Sequence, residues 1–377
     1  MVARDRKVEG LYRGAMAGKR DGLITSTMIK QFVQSPFTLW CFSHAPASER
    51  DPMDAYRKYL FETGQKHEEA TIKARFPGIK PVKAATPEEG FRLVLESMAE
   101  GVSAFHGAPL FYVPDGIKTE VDILEKAKGG KSAFGNYHYV VKEVKAAKNI
   151  RKEHVMQTAF NNYILGKVQG YAPPRFFLIN RDDEETAFEY DEAELLEALN
   201  GARQVITATK MDAIYGKAMW PWESYCNKKA IEARDVSLVA GVGPAMRAKL
   251  AGAGITTFDK LSATKEAVLR SIKGIGPANA RSFSTKAEAL VTGKHLRLDP
   301  ISLPKVDTEL FVDLEGTANQ VNEGEVVDMD YLIGVLARQR GKETFHSFIA
   351  HTIDGEKEMF KEFLDFVSEF DDYALYH

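Results

Sequence analysis

Three side chains have the types and spacing to act on a phosphate. Asp122 lies in "IKTEVDIL", and Glu143 and Lys145 lie in "YVVKEVKAAK". In a strand, residues two apart project from one face, so Glu143 and Lys145 point together out of a run that otherwise reads as internal. If the strand carrying Asp122 lies alongside, the two carboxylates converge. Paired carboxylates are oxygen ligands of the kind that Mg²⁺ or Mn²⁺ takes. A lysine beside them stabilises charge building on an attacked phosphate, and a metal lowers the pKa of a bound water. The same pair on an exposed strand would be only a solvated face, so the reading depends on what the flanking elements bring to it.

Those elements are legible from hydrophobic period. "ITSTMIKQFV" opens a helix with Ser26 or Thr27 as cap and Met28, Ile29, Phe32 and Val33 as its stripe. A second helix runs from about Asp54 to Arg75 and carries Gly64, His67 and Glu68, and a third opens at Thr86-Pro87. The period then shortens: "APLFYV", "IKTEVDIL" and "NYHYVVKEVK" read as a three-strand meander, with Pro114-Asp115-Gly116 as the first turn. A helix from about Lys152 to Gln169 carries Gln157, a short strand "RFFLIN" follows, and "DEAELLEALNGARQVITATKMDAI" reads as an amphipathic helix. Residues 21–232 are thus expected to form one mixed α/β domain behind a flexible leader, residues 1–20.

The order D…E-x-K on consecutive strands resembles the PD-(D/E)xK nuclease superfamily. With "GQKHE" upstream and a glutamine on the next helix, it resembles the RecB-type branch that includes the CRISPR-associated exonucleases. The resemblance implies a restriction-endonuclease-like core in which His67, Asp122 and Glu143 are metal ligands. Lys145 would be catalytic, and Gln157 would support the site or the DNA. Two departures stand out. Where the branch often has a tyrosine four residues after the glutamine, this chain has Asn161, with Tyr163 nearby. Many members also hold an iron–sulfur cluster through one early and three late cysteines. Here the early position is Ser35 and only Cys226 lies late, so no iron–sulfur cluster is expected, and Cys41 and Cys226 are expected to be structural.

Residues 235–294 contain an internal repeat. "LVAGVGPAMRAKL" and "SIKGIGPANARSF" share G-[VI]-G-P-A, and Gly241 and Gly274 stand 33 residues apart. Glycines let the chain turn tightly and expose backbone N–H groups at the start of the next helix, where a phosphate can dock without any base being read. The segment has nine Lys or Arg against four Asp or Glu. Both copies resemble the helix-hairpin-helix motif, an all-α DNA-backbone-binding module. Gly241, Gly243, Gly274 and Gly276 would form the hairpins, and Arg247, Lys249, Lys273 and Arg281 would help with neighbouring phosphates. A plain helix joint or a protein-contact module is the alternative.

A proline-bearing linker, 295–308, leads to an acidic segment, 309–377. From Asp299 onward there are six Lys or Arg against eighteen Asp or Glu. "LFVDLEGT" sets Asp313 and Glu315 on one strand face, then two more strands, a helix and the start of a fourth strand follow. The D-x-E resembles the first motif of DEDD-type 3′–5′ exonucleases, which implies a partial RNase H-like domain with Asp313 and Glu315 as metal ligands. Such a domain needs further acids beyond the fourth strand, and Asp371 and Asp372 precede it, so a fragment is expected.

The bulk composition excludes several classes. Of 377 residues, 44% are hydrophobic and 27% charged, and the net charge is −3. No apolar run approaches ~18 residues, so no membrane partner is expected, and nothing resembles a signal peptide. A cytoplasmic location follows as an expectation. Across residues 21–377 the module order resembles a family of RecB-like nucleases with helix-hairpin-helix motifs and a C-terminal RNase H-like domain. The expected function is a Mg²⁺- or Mn²⁺-dependent DNA nuclease in repair, recombination or defence, gripping single- or double-stranded DNA by its backbone, with a helicase or repair complex as a further partner. The rival is a non-catalytic DNA-binding or complex-assembly protein with degenerate sites.

Overall fold

Hydrophobic spacing in the first fifteen residues is enough to make a helix. In a computed structural model that describes residues 2–297, 300, 302–317, 320–322, 325–327 and 329–377, α1 (Val2–Ala15) buries Val8 and Ala15, with Leu11 and Tyr12 packed beside them. The Arg92 guanidinium lies 4.2 Å from the Tyr12 ring centre and bonds Glu9 at 2.6 Å. This corrects the expectation of a flexible leader at residues 1–20. Apolar positions at helical spacing, with arginine and lysine on the remaining face, dock the segment on the domain behind it.

The chain divides into two units, 1–296 and 297–377. In the first, α2 (Ser26–Gln34) is capped by the Thr25 hydroxyl, one residue earlier than expected, and α3 (Pro36–His44) by the Ser35 hydroxyl. Then come α4 (Ala55–Arg75), β1 (Lys80–Pro81), α5 (Pro87–Glu100), β2 (Ala104–Tyr112), β3 (Ile117–Ser132), β4 (Gly135–Val144) and α6 (Lys152–Gln169). β5 (Arg175–Ile179), β6 (Glu185–Glu189), α7 (Glu192–Thr207) and α8 (Glu223–Glu232) complete the α/β part. The strands form one sheet in chain order. β2, β3 and β4 are an antiparallel meander, and α6 is the crossover that lets β5 run parallel to β4. One sheet face buries Phe105, Leu110, Leu124 and Tyr139 against α1, α2, α5, α6 and α7; on the other, Ile72 of α4 meets Ile123, Val144 and Ile179.

The helical part of the same unit comprises α9 (Pro244–Gly252), α10 (Phe258–Ala263), α11 (Glu266–Ser271) and α12 (Pro277–Thr292) around a small core that includes Leu250, Leu261, Leu269 and Phe283. It lies within the same compact unit as the sheet.

The second unit has β7 (Thr308–Gly316), β8 (Gln320–Asn322), β9 (Glu325–Val327), β10 (Asp330–Gln339), β11 (Lys342–Ile349), α13 (Ile353–Val367) and β12 (Tyr373–Tyr376). Its four-stranded sheet runs β11-β10-β7-β12, antiparallel except for β12, which lies parallel to β7 after the α13 crossover. Leu310, Val312, Ile333 and Val335 pack under α13 with Met359 and Val367. Among the described residues, no helix is long and apolar enough to cross a membrane.

Candidate active site

A change of face within one strand aims Asp122. Along β3, Val121 and Leu124 both join the core shared with α6, while Ile123 packs with Ile72 on the opposite face. Strict alternation would not put residues 121 and 124 on one face. His106 pairs with Ile123 and Ala108 with Val121, so the residue across from Asp122 is Gly107, whose φ of 65° is in the left-handed region. A side chain there would be strained, so glycine permits the kink.

β3 and β4 then bring the acids together. The antiparallel register sets Asp122 beside Glu143. Asp122 Oδ2 accepts the Val144 N–H at 2.9 Å, and the Asp122 N–H reaches Glu143 Oε1 at 3.4 Å. Lys145 Nζ donates to Glu143 Oε2 at 2.9 Å. From α6, Asn161 Nδ2 donates to Glu143 Oε1 at 2.7 Å, and the Thr119 hydroxyl donates to Asn161 Oδ1 at 2.6 Å. Glu143 is 2% exposed and Asn161 is fully buried. Burial and then the Glu143 charge push the Asp122 carboxyl well above its ordinary range. Burial and then Glu143 also raise Glu68, which stands across the site on α4. Burial works against a charged Lys145, but Glu143 and Asp122 outweigh it and hold the ammonium above its ordinary value. Lys30 of α2 is shifted down, by burial first and then by Lys145. Glu68, Thr119, Asp122, Glu143 and Lys145 border a cavity of about 370 Å³, lined also by Thr25, Lys118, Glu120 and Gln157.

Of the five side chains singled out for this site, Asp122, Glu143, Lys145 and Gln157 line one cavity and His67 does not. His67 faces the Asn180–Asp183 turn: burial depresses its pKa, and Asp183, the Asn180 backbone and Arg181 are its electrostatic neighbours. Glu68, the next residue of the helix, lines the cavity instead, because one residue along a helix turns a side chain about 100°. Gln157 reaches the cavity wall with Oε1 buried and without a hydrogen-bond partner. Asn161, read as a departure from tyrosine, is what holds Glu143, while the nearby Tyr163 hydroxyl bonds Asp115 at 2.8 Å. Glu68, Glu120, Thr119, Lys30 and Lys118 were not singled out as site residues; on β3, alternate residues from Lys118 to Asp122 were the available signal.

The donor chemistry suits a hard divalent cation. Several carboxylates crowd a site in which, among the described residues, Lys145 is the one cation bonded to any of them; burial first and then the Glu143 charge raise the pKa values of Asp122 and Glu68, and a cation would relieve the repulsion. Among the described residues no three His, Cys, Asp or Glu side chains are close enough to make a complete cage. Mg²⁺ needs none, since it keeps several waters and takes one or two carboxylates plus a substrate phosphate.

In the helical part, Gly241 (φ 98°) and Gly274 (φ 95°) turn the two hairpins, and Gly243 and Gly276 cap α9 and α12. A glycine cap has no side chain to satisfy the first-turn N–H groups, which stay open to an external acceptor. A Cβ added at Gly274 would lie 2.8 Å from Lys249 Nζ, so the first hairpin's lysine stands over the second hairpin's turn. Lys273 is exposed, and Arg281 stands 3.8 Å from Glu266 with its side chain 80% exposed. Arg247 is corrected as a phosphate contact. Its Nε and Nη2 bond Asp235 at 3.0 and 2.8 Å, and Nη2 also bonds Asp212 at 3.2 Å. Cys41 and Cys226 lie fully buried in one cluster with Phe37 and Trp222, and burial lifts the Cys41 thiol to about 12.

In the second unit Asp313 and Glu315 project from the face of β7 opposite α13, flanked by Gly334 and Leu332 of β10. Asp372 does not join them; its Oδ2 accepts the Asp307 N–H at 3.1 Å, at the other end of β7.

The SAM-like helix-hairpin-helix tandem family matches residues 233–282. No curated protein matches the chain. The crystal structure of SSO0001 aligns with 61% of this chain and 96% of that one, at 15% identity and a TM-score of 0.23. The chain is a mixed α/β multidomain protein that carries a helix-hairpin-helix module, and that module fits nucleic-acid binding.

Proposed function

We propose that the chain is a Mg²⁺- or Mn²⁺-dependent DNA nuclease whose first unit has a PD-(D/E)xK core of the RecB type. The observation that carries this reading is Lys145 on Glu143, with Glu143 and Asp122 each bonding the backbone of the other's strand, inside one recessed cavity. Asp122 and Glu143, with Glu68 beside them, would hold the cation, which when bound supplies Lewis acidity and a more acidic water. The chain's own groups do the rest. Lys145 is held charged by the acids around it and can meet the negative charge that grows on an attacked phosphate. Asn161 and Thr119 hold Glu143 in one orientation. Gln157 has an amide free to turn toward the substrate. The hairpin at Gly274, with Lys249, Lys273 and Arg281, would grip the backbone without reading sequence. The second unit, with strand order β11-β10-β7-β12 and Asp313 and Glu315 side by side, is read as RNase H-like.

The test is cleavage of labelled single- and double-stranded DNA, with RNA in parallel, in Mg²⁺ and in Mn²⁺. Wild type is expected to cut, and Lys145→Ala and Glu143→Ala to cut at least a hundredfold more slowly while still binding DNA. The second reading, a non-catalytic DNA-binding protein, is favoured by the family match being confined to residues 233–282. Salt-dependent DNA binding by wild type without cleavage in either metal would establish it and reject the nuclease.

A further inference from the structure

We propose that Lys118, with the first turn of α2, is a second phosphate seat for the strand whose cut bond lies at Asp122 and Glu143; this rests on the nuclease reading. Lys118, Glu120 and Asp122 alternate along β3 and all line the same cavity, and Thr25, Ser26 and Thr27 line it with them. Four residues of strand set Lys118 about 13 Å from Asp122, a distance that an extended strand covers in about two nucleotides. Residue 24 pairs with the start of β3: the Ile24 N–H donates to the Gly116 carbonyl and the Lys118 N–H to the Ile24 carbonyl, both at 2.9 Å. That pairing fixes the α2 cap, Thr25, against Lys118.

The charge pattern gives the seat its ligand. Four acids, Glu68, Glu120, Asp122 and Glu143, line the cavity with two lysines. Lys145 is bonded to Glu143. Lys118 has no ion-pair partner among the described residues; its nearest aromatic ring is Phe111, with Nζ 6.0 Å from the centre. An unpaired ammonium at the rim of an acid-rich cavity is arranged to meet an anion from outside. The first-turn N–H groups of α2 add positive potential on the same side, and the Gln157 amide has an unpartnered oxygen in the cavity wall, so it can turn to donate. The ligand class is a phosphodiester one or two linkages from the cut bond.

Single methylphosphonate linkages, which remove one backbone charge, are stepped through a DNA oligonucleotide. Cutting by wild type, Lys118→Ala and Lys118→Arg is mapped in Mn²⁺. In wild type one neutral linkage, at a fixed offset from a bond, is expected to slow its cutting five- to tenfold. Lys118→Ala should be indifferent to that linkage, and Lys118→Arg should keep the sensitivity. The slope of log binding constant against log salt for single-stranded DNA should also fall by about 0.7 in Lys118→Ala. Equal offset sensitivity in wild type and Lys118→Ala overturns the seat and leaves the nuclease standing. If nothing is cut, the nuclease reading fails; a lower salt slope in Lys118→Ala then still supports the seat, and an unchanged slope rejects it. Lys118 is half-buried and unpaired, so melting curves of the variants should match wild type.

Discussion

Asn161→Asp isolates the hydrogen bond that orients Glu143. The wild-type amide donates to Glu143 Oε1 at 2.7 Å and accepts from the Thr119 hydroxyl at 2.6 Å, and Asn161 is fully buried. A protonated aspartic acid is nearly isosteric and can do both: its O–H donates to Glu143 and its carbonyl oxygen accepts from Thr119. An ionised aspartate cannot donate, and would add a charge beside Glu143 and Asp122. Burial and those neighbours must therefore lift the new carboxyl above its unfolded value of about 3.9. The sign follows: the folded state holds a proton that the unfolded state has lost. The variant's stability relative to wild type is therefore greatest below about pH 3.9 and declines as pH rises to the folded pKa. Each unit of lift costs about 1.4 kcal/mol at higher pH, so two units cost about 3 kcal/mol. At roughly 2–4 °C per kcal/mol, that is a melting temperature some 5–10 °C below wild type at pH 8, closing to within about 2 °C near pH 4. Paired melts of wild type and variant in chelator across pH 4–8 read this directly. A difference that stays flat with pH would mean that Asn161 does not donate to Glu143, and the account of how that carboxylate is held would fail.

Three further outcomes are expected. Arg247→Ala leaves Asp235, 5% exposed, without its partner; it should cost about 2–4 kcal/mol at pH 7 by calorimetry with little change in the salt slope of DNA binding. Lys249→Ala and Lys273→Ala should do the reverse, leaving the melt unchanged and lowering the slope on duplex DNA by about 0.9 each. His154 Nδ1 accepts the Arg151 N–H at 3.3 Å, and burial, Lys30 and Lys145 depress its pKa to about 4. The unfolded chain thus binds the extra proton between about pH 6.5 and 4, so stability falls as pH drops through that window, by no more than about 3 kcal/mol. His154→Gln should remove that acid lability, and a histidine resonance titrating near its ordinary value in wild type would contradict it.

Much of the first unit could be read from the chain because its signals are local. The change of period at residue 108 marks the meander, E-x-K alternates on one strand face, and G-x-G-P-A occurs twice. The residues that were missed or misplaced depend on how elements dock. Whether His67 or Glu68 enters the site depends on the roll of α4 against the sheet, and both lie within one helical turn. Asn161 looked like a defect because its partner, Glu143, lies on another element. Gly107 lies just before the apolar run that marks the first strand, and its role follows only from the register on either side of it, His106 with Ile123 and Ala108 with Val121. Residues 1–20 read as a leader because basic composition outweighed the apolar spacing of Val8, Tyr12 and Ala15.

The paired hairpins carry the same sequence signature but not the same surroundings. In the first, the basic side chain expected to meet DNA is turned inward: Arg247 joins Asp235, at the start of the helical part, to Asp212, in the segment between α7 and α8. Burial alone would raise the Asp235 carboxyl, yet Arg247 and the Ser237 groups hold it below its ordinary value, so the tie is favourable as built. Lys286 adds a second fastening by donating to the Ala240 carbonyl at 3.0 Å. In the second hairpin, Arg281 stands 3.8 Å from Glu266 and its side chain stays 80% exposed. Lys249 crosses to this hairpin, and Lys273 lies beside its turn. A motif repeat therefore does not imply a repeat of function. The aspartates that claim Arg247 stand 12 and 35 residues before it in the chain, and the second copy, with Ala280 at the position equivalent to Arg247, has no cation there to be claimed. Of the basic side chains expected to meet phosphate, Lys249 and Lys273 are exposed and lie at the Gly274 turn, and a salt-slope comparison of Arg247→Ala with Lys249→Ala weighs one hairpin against the other.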